Sequence, residues 1–432
     1  MMPDRYTAIT FAPVQGFIEK SRKLRDLYGS SYLLSFLAWS VCKAAERKGL
    51  SVISPALVNV TQGMPNQIII DGIFDPDQAK QAFEQAWGCV VHSCREWIEE
   101  SLEFKYYWKR EWGLWIKYAW EFYGAYGPDI PTARQRLNNQ KQSRDWTGIN
   151  WTGESSTLSG ADGIAWPKLG YTNPRNSSYQ SQKEEIKTFY TALSERLGEA
   201  FIDPDEELSV PELVKRMVTH ETIATKVLTT FQERSRAVIS PEEEALLLAI
   251  AKELNPRTFK DLNRLKKKDR KPDEPPEPKY WTGWFLGDGD KAGDYLKCHR
   301  APVELSDFSA QMREWGNAIR DTNQSYLPGQ GRMIYAGGDD FLGVLYERDE
   351  QLQPDECWHP LAAPFSTTQI NLYQLQPVSA LFGQLQMFLS EMYCNIAIRR
   401  SKPLSRVDET GLPFAFSLTV ATIWNGYARG GF

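Results

Sequence analysis

Residues 332–346, which read RMIYAGGDDFLGVLY, decide the fold of this chain. Two apolar segments, 332–336 and 341–346, enclose Gly337, Gly338, Asp339 and Asp340. Apolar segments of this length on either side of a short Gly- and Asp-rich turn predict a β-hairpin. A solvated turn does not need two aspartates pressed between buried strands, so the pattern favours a function for Asp339 and Asp340.

A second carboxylate motif precedes the hairpin by about fifty residues. Residues 280–286 (YWTGWFL) predict a strand, which we expect to end in the loop Gly287-Asp288-Gly289-Asp290. Acids at the end of an apolar strand suit hard cations, which prefer oxygen ligands. The glycines would let a metal or phosphate approach the backbone. Asp-Gly pairs are also common in ordinary turns, so this motif is convincing only together with the hairpin.

The two motifs are separated by one predicted helix, residues 302–320. In a ferredoxin-like β-α-β-β sheet, the first strand and the hairpin lie side by side. Asp288 would then converge with Asp339 and Asp340. Three carboxylates repel one another unless cations relieve the repulsion. Two Mg²⁺ ions roughly 3.5–4 Å apart are the usual clamp on the attacking and leaving oxygens of phosphoryl or nucleotidyl transfer.

The N-terminal part predicts an α/β unit of its own. Residues 6–12 alternate as a strand does, and residues 14–48 show helical periodicity. We expect Gly29-Ser30-Ser31 to interrupt this helical region and to cap a second helix. A further strand at residues 67–70 and a helix from about Pro76 complete the unit.

The middle of the chain is aromatic and helical over residues 85–125, where we expect Trp108–Trp120 to form core or subunit interface and not a nucleic-acid stacking site. A run of lysines followed by four prolines in residues 272–278 cannot pack a core and predicts a linker. The predicted domains are a first α/β unit with a helical insertion, a loop-rich region, a helical domain, a charged linker and a second unit with the hairpin, at residues 1–135, 136–182, 183–263, 264–279 and 280–432.

Composition limits the alternatives. The 432 residues predict two to four domains, and 42% hydrophobic with 24% charged residues is ordinary for a globular protein. A net charge of −5 means that any nucleic-acid contact is local or shared with partners. Six cysteines lack CxxC spacing, and no apolar stretch approaches a membrane span. We expect a soluble, cytoplasmic protein.

The motifs together resemble a known family. GDGDKAG at residues 287–293 and YAGGDDFLGVL at residues 335–345 resemble the second palm domain in the large subunit of type III CRISPR effector complexes, of the Cmr kind. Residues 13–15, residues 21–35 (SRKLRDLYGSSYLLS) and the Pro65-Asn66 step are similar to the opening of that family's first palm.

The resemblance implies an α/β (α+β) fold with two ferredoxin-like palm domains and an intervening helical region. It implies synthesis of cyclic oligoadenylate from ATP when target RNA binds a complex of Cmr-type subunits and crRNA, with no membrane involved. Carried over by position, the metal ligands for Mg²⁺ or Mn²⁺ are Asp288, Asp339 and Asp340, with Asp290 a weaker candidate, and Asp339 and Asp340 are catalytic. The nucleotide-binding positions are Gly289, Gly337, Gly338 and Ser31.

Three departures from the family pattern matter. None of the four histidines is followed by Asp, so we expect no HD nuclease. Residues 155–160 (SSTLSG) look like a zinc knuckle whose ligands are replaced by serines, so we expect no zinc. Residues 416–424 look like the last palm strand, so the C-terminal part is short. Cys89, His92 and Cys94 lie on an apparent helix and favour a structural role.

Two other functions stay open at this stage. The chain could be a non-catalytic scaffold that anchors the crRNA 5′ end, which the missing modules favour and the intact GGDD opposes. It could instead be a stand-alone dinucleotide cyclase of the GGDEF type, which the first-palm opening opposes.

Overall fold

The computed structural model describes most of the N-terminal half and the principal elements of the C-terminal half. The described residues are 3–58, 63–144, 148–151, 153–171, 178–199, 201–235, 239–253, 281–289, 301–320, 331–337, 340–347 and 416–423. The chain divides into two compact units, Met1–Thr258 with Arg300–Ser306, and Phe259–His299 with Asp307–Phe432. The predicted linker, residues 264–279, lies outside the described residues.

The first unit is built on a four-stranded antiparallel sheet in the order β2-β3-β1-β4. Its strands are β1 (Tyr6–Ala12), β2 (Ser51–Ser54), β3 (Ile68–Asp71) and β4 (Glu121–Gly127). Its helices are α1 (Gln15–Glu19), α2 (Leu24–Glu46), α3 (Pro76–Ser101), α4 (Lys109–Tyr118), α5 (Ile130–Gln142), α6 (Tyr179–Leu197), α7 (Val210–Met217), α8 (Glu221–Ser235) and α9 (Pro241–Glu253).

The second unit contains a sheet with the equivalent strand order, β6-β7-β5-β8. Its elements are β5 (Trp281–Gly289), the helix Pro302–Arg320 (here α10), whose first turn is grouped with the first unit, β6 (Gly331–Gly337), β7 (Asp340–Glu347) and β8 (Phe416–Ile423). In both sheets the first strand lies between the third and the fourth, which is the ferredoxin-like arrangement. The predicted fold class, with two such sheets and helices α6–α9 between them in sequence, is confirmed.

An aromatic cluster forms the core between the first sheet and its helices. Phe11 of β1 packs on Phe83 of α3 at 4.8 Å between ring centroids, and Trp120 meets Phe17 at 4.9 Å. Trp87 contacts Trp120 edge-to-face at 5.5 Å. These large rings bury much apolar area, which is the dominant stabilising term in folding.

The predicted interruption at Gly29-Ser30-Ser31 is wrong, because α2 runs through it without a break. The chain breaks earlier, between α1 and α2. Gly29 is present for close packing, since a Cβ there would collide with the carbonyl oxygen of Lys215. Ser30 caps nothing, because its hydroxyl donates to the Asp26 carbonyl oxygen one turn back, at 2.7 Å.

The aromatic segment is also less helical than predicted. Its end forms β4, which pairs with β1 along its whole length from Glu121 to Gly127. Trp108 and Trp112 are fully buried core residues, as expected from the structural interpretation. No described helix combines the length and apolar character required to cross a bilayer.

Candidate nucleotide and metal site

The prediction that the strand at residues 280–286 ends in an Asp/Gly loop at Gly287 is wrong, because the strand continues to Gly289. Asp288 and Gly289 are the last two residues of β5 itself, not part of a loop. The reason is β8, which continues the ladder by pairing Asp288 with Ser417 and Gly289 with Phe416. The first carboxylate position is therefore fixed in a sheet, where backbone pairing restricts its movement.

The predicted hairpin is present. Strand β6 ends at Gly337, β7 begins at Asp340, and these two residues pair with each other. Gly338 and Asp339, which connect the strands, lie outside the described residues, as does Asp290. The hairpin therefore holds Asp340 at the first position of a sheet strand.

The register of the second sheet brings Asp288 and Asp340 together. The ladder between β5 and β7 runs to the pair Gly287 and Phe341, and one further step sets Asp288 opposite Asp340. Directly opposed residues of antiparallel neighbours have Cα atoms about 4.5–5.5 Å apart. Gly289 and Gly337 lie at the same end of the sheet. Four of the predicted site positions thus share one sheet edge.

Helix α10 packs closely on the hairpin just before the glycines. A Cβ at Gly316 would lie 2.9 Å from the carbonyl oxygen of Ala336. Ala336 and Ile334 of β6 are buried. This close packing supports the strand that leads into Gly337.

At the corresponding end of the first sheet, the described residues of β1 and β3 include no opposed carboxylate pair. There the Asn66 side-chain amide donates to the Thr10 hydroxyl oxygen and to the Phe11 carbonyl oxygen, both at 3.2 Å. Asn66 of the Pro65-Asn66 step noted in the sequence thus binds the end of β1 through an uncharged side chain.

Ser31, the predicted nucleotide-binding residue of the first unit, lies inside α2. Its side chain is only 3% exposed, and among the described residues its hydroxyl has no hydrogen-bond partner. The neighbouring hydroxyl of Tyr32 is likewise buried, and burial raises its pKa. The role of Ser31 stays a prediction.

A buried ion-pair network fixes the start of α2, and the sequence did not reveal it. Asp26, 1% exposed, accepts from Arg216 Nε at 2.7 Å and from the backbone N–H groups of Lys23 and Arg22 at 2.9 and 3.0 Å. Arg216 is also paired with Glu206. Burial alone would raise the Asp26 pKa, but the Arg216 charge and these hydrogen bonds outweigh it and lower the pKa.

Helix α7 also holds the junction between α1 and α2 through Lys215. The buried Lys215 ammonium donates to the carbonyl oxygens of Phe17 and of Lys20, the latter at 2.7 Å. Burial lowers the Lys215 pKa to about 8. Buried charges next to apolar residues leave little pattern in a sequence, so only the fold reveals this cluster.

Residues 155–160, which the sequence suggested as a degenerate zinc knuckle, are hydrogen-bonded to the carboxylate of Glu212. Glu212, 1% exposed, accepts from the Ser156 hydroxyl at 3.1 Å and from the Ser159 and Ser209 backbone N–H groups at 3.2 and 2.7 Å. Within the part of the chain that the structure describes, no three His, Cys, Asp or Glu residues form a metal-binding group. Cys89 and Cys94 are buried on α3, and burial raises the Cys89 pKa to about 11.

The class of protein that these observations define has two ferredoxin-like sheets, with a glycine-flanked carboxylate pair on one of them. Residues 6–69 match the family model described as CRISPR-associated protein Cmr2, N-terminal. Over these residues the resemblance drawn from the motifs is confirmed. No curated protein sequence matches the chain.

Two solved structures are among those that match the chain. The chain from "Type III-B Cmr-beta Cryo-EM structure of the Apo state" is 13% identical with a TM-score of 0.46, covering 79% of this chain and 60% of that one. The chain from "Crystal structure of Csm1-Csm4 cassette in complex with AMPPNP" is 16% identical with a TM-score of 0.35, covering 84% of this chain and 47% of that one. This chain thus spans about half the length of these relatives.

Proposed function

We propose that this chain is the large subunit of a type III CRISPR effector complex and synthesises cyclic oligoadenylate from ATP. The observation that carries the proposal is the register of the second sheet, which sets Asp288 opposite Asp340 beside Gly289 and Gly337. The family match over residues 6–69 supports the assignment to a CRISPR complex.

The donor set suits a divalent cation. Carboxylate oxygens are the ligands that Mg²⁺ and Mn²⁺ prefer. Asp288 and Asp340 would hold the metal together with Asp339, and Asp290 is a weaker candidate. When bound, the metal supplies positive charge that makes a hydroxyl a better nucleophile and neutralises phosphate charge.

In the proposed reaction, the 3′-hydroxyl oxygen of one ATP forms a bond to the α-phosphorus of another. The bond from that phosphorus to the bridging oxygen breaks, pyrophosphate leaves, and the hydroxyl proton passes to solvent. Gly289, Gly337 and Gly338 would leave space for phosphates beside the backbone. Ser31, in the first unit, is proposed as a further nucleotide-binding position. Repetition and a final ring closure give the cyclic product.

The proposed partners are the other subunits of a Cmr-type complex, crRNA and target RNA. Among solved structures, the Csm1-Csm4 cassette is known in complex with cA4. The competing function is a scaffold that holds the crRNA 5′ end and makes no product.

The test incubates the chain with labelled ATP and Mg²⁺, alone and assembled with its presumed partner subunits, guide RNA and target RNA. Products are separated by chromatography for the wild type and for Asp339→Asn/Asp340→Asn. Asp71→Asn is the matched control, because Asp71 is an aspartate at the far end of β3 in the first sheet, paired with Arg5 at 2.8 Å.

We expect cyclic oligoadenylate from the wild type and the control, and none from the double variant. Assembly and guide-RNA binding without any product would contradict the proposal and favour the scaffold function. A cyclic dinucleotide made by the chain alone would support the GGDEF-type alternative instead.

A further inference from the structure

A half-buried histidine lies at the α7–α8 corner, which is formed by residues 218–220 between the two helices. The centroid of the His220 ring is 5.0 Å from that of Phe201 and 6.1 Å from that of Trp97 on α3. Its Nδ1 atom is buried and has no hydrogen-bond partner among the described residues. Contact with two aromatic rings and a buried, unpaired nitrogen suit a neutral imidazole better than a charged one.

The backbone of His220 connects the two helices. Its N–H donates to the Met217 carbonyl oxygen at 2.9 Å, at the end of α7. Its carbonyl oxygen accepts from the N–H groups of Ile223 at 3.0 Å and of Ala224 at 2.9 Å, in the first turn of α8. The N-terminus of a helix carries partial positive charge, so a positively charged side chain is unfavourable at this position.

A buried cation lies beside the same corner. The Arg25 guanidinium of α2 donates to the Thr219 hydroxyl oxygen at 3.0 Å and lies 3.8 Å from the centroid of the Phe201 ring. Arg25 thus already occupies a face of one ring that His220 contacts. The other ring, Trp97, is at the outer limit of distance for attraction between a cation and an aromatic face. The two rings therefore compensate little for a second positive charge.

The charges around His220 oppose its protonation. Burial lowers the pKa of His220, the Arg25 charge lowers it further, and the exposed Glu221 at the start of α8 raises it by less. Trp97 and Phe201 contribute no charge. Because the folded-state pKa lies below the usual value of about 6.5, the stability contributed by neutral His220 is complete above about pH 6.5 and is lost as the pH falls towards the folded value.

We propose that His220 is an acid-sensitive switch that loosens the α7–α8 corner when it takes up a proton. Protonation adds a second positive charge beside Arg25 and at the N-terminus of α8, and the imidazolium exchanges its contacts with Trp97 and Phe201 for water. The first turn of α8 then opens more often, because its amides depend on the His220 carbonyl oxygen. The inference goes beyond the proposed nucleotide chemistry and uses none of its residues.

A second histidine provides a matched control. His92 is also half-buried, and its Nδ1 atom is likewise buried and without a hydrogen-bond partner among the described residues. Burial and the nearby Arg95 charge lower its pKa as well. His92 lies inside α3, however, and not at the start of a helix. His92→Gln therefore removes a comparable titrating group and leaves the α7–α8 corner intact.

The experiment measures amide hydrogen exchange of the full chain at about pH 7.5 and about pH 5.5, corrected for the pH dependence of exchange in an unfolded chain. Protection at Ile223 and Ala224 should fall about threefold or more in the wild type and in His92→Gln on acidification. It should stay constant in His220→Gln and in His220→Phe, which keeps an aromatic ring that cannot be charged. Arg25→Gln should lessen the fall, because the pKa of His220 then lies nearer to its usual value.

Three results would overturn the proposal: constant protection in the wild type, an equal fall in the wild type and His220→Phe, or a fall that His92→Gln abolishes. Unfolding midpoints at about pH 7.5 identify any variant that fails to fold. His220→Phe keeps the test valid if His220→Gln does not fold. Exchange requires neither ATP nor partner subunits, so the outcome is independent of whether the chain makes cyclic oligoadenylate.

Discussion

The two sheets of this chain share a strand order and differ in the chemistry of one end. In the first sheet, the end of β1 is closed by Asn66, which donates to the Thr10 hydroxyl and the Phe11 carbonyl. In the second, the β5–β7 register ends at Gly287 and Phe341, and its next step sets Asp288 opposite Asp340. One end carries a neutral hydrogen-bond arrangement, while at the other the register sets two aspartates at opposed positions.

The difference teaches that topology supplies a position and side chains supply the function. The strand connections make the contrast possible. In the first sheet the connection from Ser54 to Ile68 is long, whereas in the second only Gly338 and Asp339 separate β6 from β7. A short, glycine-containing turn keeps acidic residues at the very end of the ladder.

The largest expected effect is on the second sheet. Replacing both opposed acids, Asp288→Asn/Asp340→Asn, should lower the rate of oligoadenylate synthesis by at least about 10³-fold, because even outer-shell partners of metal ligands cost about 10–100-fold. The substitutions conserve shape, so the unfolding midpoint should hardly change. The same substitution at Asp71 in the first sheet should leave the rate unaltered, and an equal loss there would remove the contrast between the sheets.

Substitutions in the buried ion pairs of the first unit should change the stability of the fold and not the binding of metal. Arg216→Met leaves the Asp26 carboxylate buried without its main partner and should lower the free energy of unfolding by roughly 3–5 kcal/mol. Denaturant unfolding measures this loss. Adding Asp26→Asn should recover part of it, because the stranded charge is then gone. A single variant as stable as the wild type would show that the pair is dispensable.

The same pair predicts an acid-dependent loss of stability. Because the folded-state pKa of Asp26 is depressed, its contribution is present above the unfolded value of about 3.9 and is lost as pH falls towards the folded value. Unfolding free energy should therefore fall below about pH 4. Asp26→Asn should show a smaller decrease over the same range, and identical slopes would refute the assignment.

A smaller effect tests the close packing of α2. Gly29→Ala should destabilise the fold by about 2–3 kcal/mol, because the added methyl meets the Lys215 carbonyl oxygen. Gly113→Ala in α4 is the control, since nothing lies within 4 Å of its added Cβ. The control should stabilise the chain by up to about 1 kcal/mol through helix propensity. Equal shifts in thermal midpoint would contradict the packing explanation.

The smallest effect concerns the Glu212 cluster. Glu212→Gln keeps the size of the side chain but turns one acceptor into a donor facing N–H groups, and should cost about 1–2 kcal/mol. Hydrogen exchange should increase at the Ser159 and Ser209 amides, which Glu212 now binds. Unchanged exchange at both amides would mean that the carboxylate does not organise this loop.

Much of the fold could be predicted from periodic patterns. Alternation identified β1, the GGDD hairpin and the last strand, and apolar spacing located α3 and α10. Sequence reasoning failed at Gly29, where a glycine serves long-range packing against α7 and local rules suggest a break. It also missed β4, because aromatic residues suit helix and strand alike, and only pairing with β1 decides.

The candidate site also has a part that the sequence predicts and a part that depends on long-range pairing. The residue types at Asp288, Asp339 and Asp340 were evident from the motifs, because acids beside glycines on apolar strands stand out. That Asp288 belongs to the strand depends on pairing with Ser417, more than a hundred residues away, which no local pattern contains. The Asp26, Arg216 and Glu206 network likewise forms only after the helices pack.

The most direct test of the central claim is Mn²⁺ binding measured by electron paramagnetic resonance in the presence of ATP. Wild type, Asp288→Asn/Asp340→Asn and Asp71→Asn are compared at equal chain and ATP concentrations, with metal bound by ATP alone subtracted. We predict protein-dependent binding in the wild type and in Asp71→Asn, and its loss in the double variant. Binding that survives in the double variant would contradict the assignment of the metal site to the end of the second sheet.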